Sequence, residues 1–146
     1  MDKLKRVLFA DGAMKEILKK DYKGAILDYT KAIELNPNNP NIYLRRAIIK
    51  SIISDFKGAI SDFDKVIELK PNNEDVYNLR GLAKNIIKDY TGALDDLNIV
   101  IANNPSAFKS YSERGMIKVN LKDYKGAIQD YSKAIELNPD YANTFI

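Results

Sequence analysis

One phrase of seven residues recurs along the chain at a fixed interval. KAIELNP occupies Lys31–Pro37 and returns unchanged at Lys133–Pro139, with a near copy, KVIELKP, at Lys65–Pro71. The three copies begin 34 and 68 residues apart, and an eroded copy, IVIANNP, begins one period after the second, at Ile99–Pro105. A period of this length indicates a repeat architecture, in which each unit buries its apolar face against its neighbours.

Each period contains the pattern of an amphipathic helix. After Asp21 the apolar residues recur at spacings of three and four, which is one face of a helix. Asp21 suits the N-cap, because its carboxylate can accept a backbone N–H, and Pro37 marks the stop. The same two roles recur at Asp55, Asp89 and Asp123 and at Pro71, Pro105 and Pro139.

A second helix fits between each proline and the next aspartate. In the second period it is predicted over residues 41–54, with Tyr43, Ala47 and Ile53 facing inward. Asn39 and Pro40 suit its N-cap and first position. Two helices in each period predict an all-α fold.

Glycine recurs in two columns. Gly81 and Gly115, in register with alanines elsewhere, remove side-chain bulk. Because glycine inside a helix costs about 1 kcal/mol relative to alanine, its recurrence indicates that the two helices of a pair cross closely at these positions. A second column near the start of the other helix serves either close packing or an easier turn. That column contains Gly24, Gly58, Gly92 and Gly126.

This order of small residue, alanine, aromatic residue and closing proline resembles the tetratricopeptide repeat (TPR) family. The aromatic at the family's tryptophan position is Phe9, Tyr43, Tyr77 or Tyr111, the alanine is Ala25, Ala59, Ala93 or Ala127, and the later aromatic is Tyr29, Phe63 or Tyr131. The resemblance implies a right-handed α-solenoid of antiparallel helix pairs. It implies a single domain, 1–146, with repeats at 6–39, 40–73, 74–107 and 108–141 and with 142–146 beginning an incomplete further helix.

An arginine column departs from the commonest family pattern and resembles the subgroup that writes Y-x-x-R-[GA] in the first helix and D-[YF]-x-G-A in the second. Arg46, Arg80 and Arg114 replace a leucine, and a core-facing arginine needs a carboxylate partner. The partner is either an aspartate of the preceding repeat or one of its own repeat. We expect the preceding repeat, because only the first repeat, which has no predecessor, lacks the arginine. The expected pairs are Arg46 with Asp28, Arg80 with Asp62 and Arg114 with Asp96; the competing pattern is exemplified by Arg46 with Asp62.

Composition removes most catalytic chemistry. The chain has no histidine and no cysteine, and neither a glycine-rich phosphate loop nor a G-x-S-x-G motif occurs. We therefore expect no enzymatic activity, no catalytic residue, no metal and no cofactor. The absence of a signal peptide and of any apolar run of membrane-spanning length favours a cytoplasmic protein that does not bind membranes.

Nucleic-acid binding is also disfavoured. The 23 basic and 20 acidic residues are interleaved along the chain, which is typical of solvated helix surfaces. Tyrosines could stack on bases, but they follow the core positions of the repeat. The tyrosines predicted to be in the core are Tyr22, Tyr29, Tyr43, Tyr77, Tyr90, Tyr111, Tyr124 and Tyr131.

The family resemblance implies a concave groove lined by the first helices of successive repeats. Its floor would contain Ala10, Met14, Leu44, Ile48, Asn78, Leu82, Ser112 and Met116, a mostly apolar set. Some family members capture a C-terminal carboxylate with lysine and asparagine. Those positions here hold Ala10 and Met14, or Leu44 and Ile48 if the second repeat is taken as the first, which disfavours a chaperone-tail partner.

The predicted function is a non-catalytic protein–protein interaction module or scaffold that binds an apolar or amphipathic peptide or helix in this groove. Two alternatives stay open. The chain could self-assemble through the uncapped C-terminal end as a homo-oligomer, or it could be a fragment of a larger multi-domain protein.

Overall fold

The structure, a computed structural model, describes residues 21–141, and in this range it contains seven helices and no strand. The helices are α1 (Tyr22–Leu35), α2 (Pro40–Ile52), α3 (Phe56–Leu69), α4 (Glu74–Ile86), α5 (Tyr90–Asn103), α6 (Phe108–Asn120) and α7 (Tyr124–Leu137). The predicted all-α fold is confirmed. The expectations for Ala10, Met14 and the helix beginning in 142–146 lie outside the described residues, and the division into four repeats stays a prediction.

The chain forms two compact units, whose described parts are residues 21–76 and 77–141, with the boundary inside α4. In the first unit, α2 packs against both α1 and α3. Ala25 and Tyr29 of α1 and Ile49 of α2 form a buried apolar cluster, and Ala47 and Ala59 are buried where α2 meets α3. The second helix of one predicted repeat and the first helix of the next therefore share a core.

The second unit repeats this arrangement. Helix α6 packs against both α5 and α7. Ala93 and Leu97 of α5 and Ile117 of α6 form its buried cluster, with Tyr90 and Leu94 packed around it.

The inward face of α2 differs from the predicted one at its end. Tyr43 and Ala47 are buried as expected, but Ile53 is 46% exposed, and Ile49 is buried instead. The reason is that α2 ends at Ile52, so Ile53 is the C-cap and the next residue, Ser54, has a left-handed φ of 66°. The backbone turns away before Ile53 can continue the buried face.

This left-handed turn recurs between the two helices of every pair that lies wholly within residues 21–141. Ser54 N–H donates to the carbonyl of Ser51 (3.1 Å), and Asp55 N–H donates to the carbonyl of Lys50 (2.8 Å). These two bonds are those of a Schellman motif, which satisfies the last carbonyls of the helix. The equivalent left-handed residues are Lys88 and Lys122. The turn delivers an aspartate directly to the start of the following helix.

The aspartate caps are confirmed, and they explain the second glycine column. The carboxylates of Asp21, Asp55, Asp89 and Asp123 accept the backbone N–H of Gly24, Gly58, Gly92 and Gly126 at 2.9 to 3.0 Å. A Cβ added to these glycines would lie only 2.2 to 2.7 Å from the capping carboxylate. The glycines therefore leave room for the cap, and they serve the start of the helix rather than the packing of the helix pair.

The first glycine column marks the close crossing that the sequence predicts. A Cβ on Gly81 would lie 3.4 Å from the carbonyl oxygen of Ala93, and one on Gly115 would lie 3.2 Å from the ring of Tyr131. Both contacts are with the second helix of the same pair. Close packing of the helix pair is confirmed at these two glycines.

One tyrosine predicted to be in the core is on the surface. Tyr124, at the start of α7, is 59% exposed, whereas Tyr90, one period earlier, packs against the core cluster of the second unit. Within the described residues α7 is followed only by a 3-10 turn at 139–141, and no α-helix covers this face. The prediction that Tyr124 is a core residue is wrong for that reason.

Candidate functional site

An ionic cluster of arginine, lysine and aspartate is repeated in three helix pairs. Arg46 Nε and Nη2 donate to the two carboxylate oxygens of Asp62 at 2.8 and 2.7 Å, and Lys50 Nζ lies 3.0 Å from Asp62 Oδ2. The cluster recurs as Arg80, Lys84 and Asp96 and as Arg114, Lys118 and Asp130. Each buried aspartate therefore accepts a two-pronged arginine and a lysine one helical turn further along.

The predicted arginine pairing with the preceding repeat is wrong. All three arginines pair with the aspartate of their own repeat, 16 residues later, at 2.6 to 2.7 Å. The remaining nitrogen of two of them does reach the preceding second helix, where Arg46 Nη1 donates to Thr30 and Arg114 Nη1 donates to Asn98.

The direction of this contact explains the error. Thr30 lies two residues after Asp28, and Asn98 lies two residues after Asp96. Residues two apart on a helix do not share a face. At Arg46 and Arg114 the face of the preceding helix that approaches the arginine therefore carries a neutral oxygen acceptor, and Asp28 and Asp96 are directed elsewhere.

The ionic cluster also includes an aromatic ring. The guanidinium carbons of Arg46, Arg80 and Arg114 lie 5.9, 5.6 and 5.5 Å from the ring centres of Tyr43, Tyr77 and Tyr111. Burial opposes ionisation of Asp130, but hydrogen bonds from Arg114 and Lys118 outweigh it, so the pKa of Asp130 lies below its ordinary value. The cluster is thus satisfied internally, and we interpret it as part of the repeat core rather than as a binding surface.

The predicted groove residues of the first unit lie on α2. Leu44 is half-buried and Ile48 is 39% exposed. Ile52 follows Ile48 by one helical turn and is also exposed. The apolar residues at these positions form a short accessible strip on α2.

The predicted groove residues of the second unit lie on α4 and α6. Met116 is 40% exposed, and Leu82 and Ser112 are half-buried. The side chain of Asn78 is engaged within the unit, where its Oδ1 accepts a hydrogen bond from Ser110 at 2.8 Å. Met116 is the most accessible apolar side chain of this predicted set in the second unit.

A cavity of about 510 Å³ opens between α6 and α7. It is lined by Ser112, Glu113, Met116, Tyr131, Ala134, Ile135 and Tyr141. Two of these residues, Ser112 and Met116, belong to the predicted groove. The cavity therefore adjoins the surface that the sequence singles out in this unit.

Glu113 places a carboxylate in this cavity that the sequence analysis missed. Its Oε2 atom is buried and accepts no hydrogen bond from any residue in the range 21–141. Burial raises the pKa of Glu113 to about 7, against the lowering influence of Lys109. A signal was present in the sequence, because the residues one and two periods earlier are Leu79 and Arg45. A carboxylate here is not a requirement of the repeat.

Two features of the described residues bear on other functions. Between residues 21 and 141 there is no group of three or more acidic, cysteine or histidine residues arranged to hold a metal ion. Among the helices in this part of the chain, none is both long and apolar enough to cross a membrane.

Solved structures of helical repeat proteins resemble this chain. A crystal structure of MamA protein superimposes with a TM-score of 0.87 at 26% identity, over 94% of this chain and 75% of that one. The first TPR of Spaghetti (RPAP3), bound to the HSP90 peptide SRMEEVD, gives a TM-score of 0.75 at 25% identity, over 84% of this chain and 97% of that one. YrrB, described as a TPR protein with an unusual peptide-binding site, gives a TM-score of 0.77 at 20% identity, over 94% and 71% of the two chains.

Family models identify the repeats in the sequence itself. No curated protein matches the chain significantly. Tetratricopeptide repeat models match residues 40–73 and 108–141, and a TPR repeat model matches residues 16–50. With its all-α helix pairs and its similarity to solved TPR structures, the chain belongs to the tetratricopeptide repeat family.

Proposed function

We propose that this chain is a non-catalytic protein-interaction module that binds an apolar or amphipathic peptide or helix on its first helices. Membership of the TPR family supports an interaction module, as does the peptide-bound state of the similar RPAP3 repeat. The peptide chemistry is our inference from the residues of this chain.

The observation that carries the proposal is the apolar and accessible register of the first helices. Ile48 of α2 and Met116 of α6 are separated by two repeat periods and are both exposed to solvent. Leu82, one period after Ile48, holds the same register, and Leu44 adds apolar surface one helical turn before Ile48 on α2. Burial of such side chains contributes roughly 25 cal/mol per Å² of apolar area, so they favour a partner with an apolar face.

The same positions argue against a carboxylate-capturing groove. A site that recognises a carboxylate needs charged or amide donors, and Leu44 and Ile48 offer none. Of the basic side chains nearest in sequence, Arg46 and Lys50 are already paired with Asp62, and Arg45 is exposed on α2. An apolar or amphipathic segment therefore suits this surface better than an acidic peptide tail.

A displayed library of short amphipathic helical peptides tests the proposal. The wild-type chain is expected to retain a subset of peptides, and Leu44→Glu, Ile48→Glu and Leu82→Glu are expected to lose them. Helical content and thermal unfolding should change little, because these side chains are not in the buried cores. Ala59→Leu serves as the contrasting control, since Ala59 is fully buried and a larger residue should unfold the helix pair.

The outcome separates binding from folding. If the three groove variants fold and still retain the wild-type peptides, the binding surface lies elsewhere. If the wild type retains no peptide and sedimentation shows a homo-oligomer, self-assembly replaces peptide binding as the proposed function.

A further inference from the structure

The cavity between α6 and α7 combines apolar walls with one unsatisfied charge-bearing group. Met116, Tyr131 and Ile135 supply apolar and aromatic surface. Against them, Glu113 Oε2 is buried and has no hydrogen-bond donor among residues 21–141. A buried acceptor without a donor is unfavourable, so a partner that supplies the donor gains more there than at an exposed glutamate.

The cations nearest to Glu113 in the sequence do not meet that need. Arg114 is adjacent in sequence, but its Nε and Nη2 atoms donate to Asp130, and its Nη1 atom donates to Asn98. Lys118 is bound to the same Asp130 carboxylate. Lys109 is exposed at the start of α6 and acts on Glu113 only as a nearby charge.

We propose that this cavity receives a lysine or arginine side chain of the bound peptide, whose cationic end donates a hydrogen bond to Glu113 Oε2. The aliphatic stem of that side chain would pack on Met116 and Ile135. The ring of Tyr131 supplies a π-face that also favours a cation. This inference rests on the proposed function, because it specifies the chemistry of the peptide that the module binds.

Charge complementarity selects this occupant over a purely apolar one. An apolar side chain would fill the cavity but leave Glu113 Oε2 without a donor. A carboxylate from a partner would face Glu113 directly and be repelled. The raised pKa of Glu113 agrees with an acid that lacks a cationic partner in the described structure.

The test begins with a peptide that the wild-type chain retains and the Leu82→Glu variant loses. A peptide containing lysine is compared with the same peptide containing norleucine, which keeps the stem and removes the charge. The lysine peptide should bind roughly 10- to 100-fold more weakly to Glu113→Gln than to the wild type, because one member of a buried charged pair is neutralised. The norleucine peptide should bind both chains equally.

Glu136→Gln is the matched control. Glu136 is an exposed glutamate of α7 paired with Lys133, so its neutralisation should leave the affinity for both peptides unchanged. As a second readout, saturation with the lysine peptide should lower the pKa of Glu113, followed by the NMR shift of its carboxyl carbon. The norleucine peptide should not lower it.

The inference is overturned if Glu113→Gln binds the lysine peptide as tightly as the wild type. An oligomer that Glu113→Gln converts to monomers would assign the cavity to a second copy instead. Peptides that depend on Leu82 but show no preference for a cation would refute this inference alone, whereas retention of no peptide would refute the proposed function with it.

Discussion

At the scale of single residues, the buried carboxylate oxygens of the described chain have two kinds of environment, one with a basic partner and one without a hydrogen-bond donor. Asp62, Asp96 and Asp130 each accept hydrogen bonds from an arginine and lie within ion-pair distance of a lysine. Glu113 has a buried oxygen with no donor in the described part of the chain. Because a buried charge stabilises a fold only when it is paired, we assign the first three to the folded core and propose the fourth as a contact for a partner.

Removal of one aspartate should reveal how much the ionic cluster contributes. We expect Asp130→Ala to lower the free energy of unfolding by about 3–5 kcal/mol, because Arg114 and Lys118 lose their carboxylate. The pKa of Asp130 is lowered in the fold, so its contribution is complete above the ordinary aspartate pKa of about 3.9 and is lost as the pH falls through the folded value. Urea denaturation at neutral pH measures the effect.

A matched control lies on the same helix. Glu136 is exposed and pairs with Lys133 at 3.1 Å, so Glu136→Ala should change the free energy of unfolding by less than about 0.5 kcal/mol. Equal losses for the two variants would show that the buried ionic cluster is no more important than a surface ion pair.

Glu113 should make stability depend on pH in the opposite direction. Its folded pKa of about 7 exceeds the ordinary value of 4.5, so the folded chain binds a proton that the unfolded chain has already released. Stability attributable to Glu113 should fall by a few kcal/mol as the pH rises from about 4.5 through 7. The charged and titratable groups around it are Lys109 of α6, Tyr131 of α7 and Tyr141.

The measurement compares wild type and Glu113→Gln by urea denaturation at pH 5 and pH 8. Glutamine cannot ionise, so the variant should gain stability relative to the wild type as the pH rises. A difference between the two proteins that stays constant with pH would contradict the raised pKa.

At the scale of the helices, local signals predicted the fold well. Asp55 at the N-cap and Pro71 after the helix act through the backbone within a few residues, so they mark the start and stop of α3 without knowledge of the rest of the fold. The same holds for Asn39 and Pro40 at the start of α2. The repeat period then extends these assignments along the chain.

Three features that depend on more than the pattern within one helix were not predicted. The partner of Arg46 depends on which face of two neighbouring helices approaches it, and a linear spacing does not state that face. The burial of Ile49 instead of Ile53 depends on the left-handed turn at Ser54. The cavity beside Glu113 forms between two helices, and the departure of Glu113 from the residues at the equivalent repeat positions signals a difference there without showing a cavity.

Helix α7 exposes apolar residues that are covered one period earlier. Ile128 is 65% exposed, whereas its equivalent Leu94 packs against the core cluster of the second unit. We expect Ile128→Lys to change the free energy of unfolding by less than about 0.5 kcal/mol and Leu94→Lys to lower it by about 1–3 kcal/mol. Urea denaturation of the two variants tests this difference.

The same pair of variants addresses self-association. If the exposed apolar face of α7 promotes self-association, Ile128→Lys should reduce the binding of an apolar dye and any concentration-dependent increase in light scattering. Equal destabilisation by both substitutions would mean that Ile128 is covered in solution by another part of the chain or by a second molecule.

At the scale of the whole molecule, charge and apolar surface make different demands on a partner. The net charge is only +3, with basic and acidic residues interleaved, so the chain has little long-range attraction for an acidic partner. Arg46, Arg80 and Arg114 form ion pairs with buried aspartates of the chain itself. What the two units offer outward at the predicted groove positions is mainly apolar.

The affinity of a peptide retained through Leu82 should therefore depend weakly on salt. Apolar burial is not screened by ions, and a single buried pair at Glu113 is screened much less than exposed charges are. We expect the Kd to change by less than about threefold between low salt and roughly 0.5 M salt, measured by fluorescence anisotropy. A nucleic acid held through several phosphates would lose affinity by orders of magnitude over such a range. A steep salt dependence would therefore show that the binding energy comes mainly from the exposed lysines of the surface and not from the apolar side chains of the first helices.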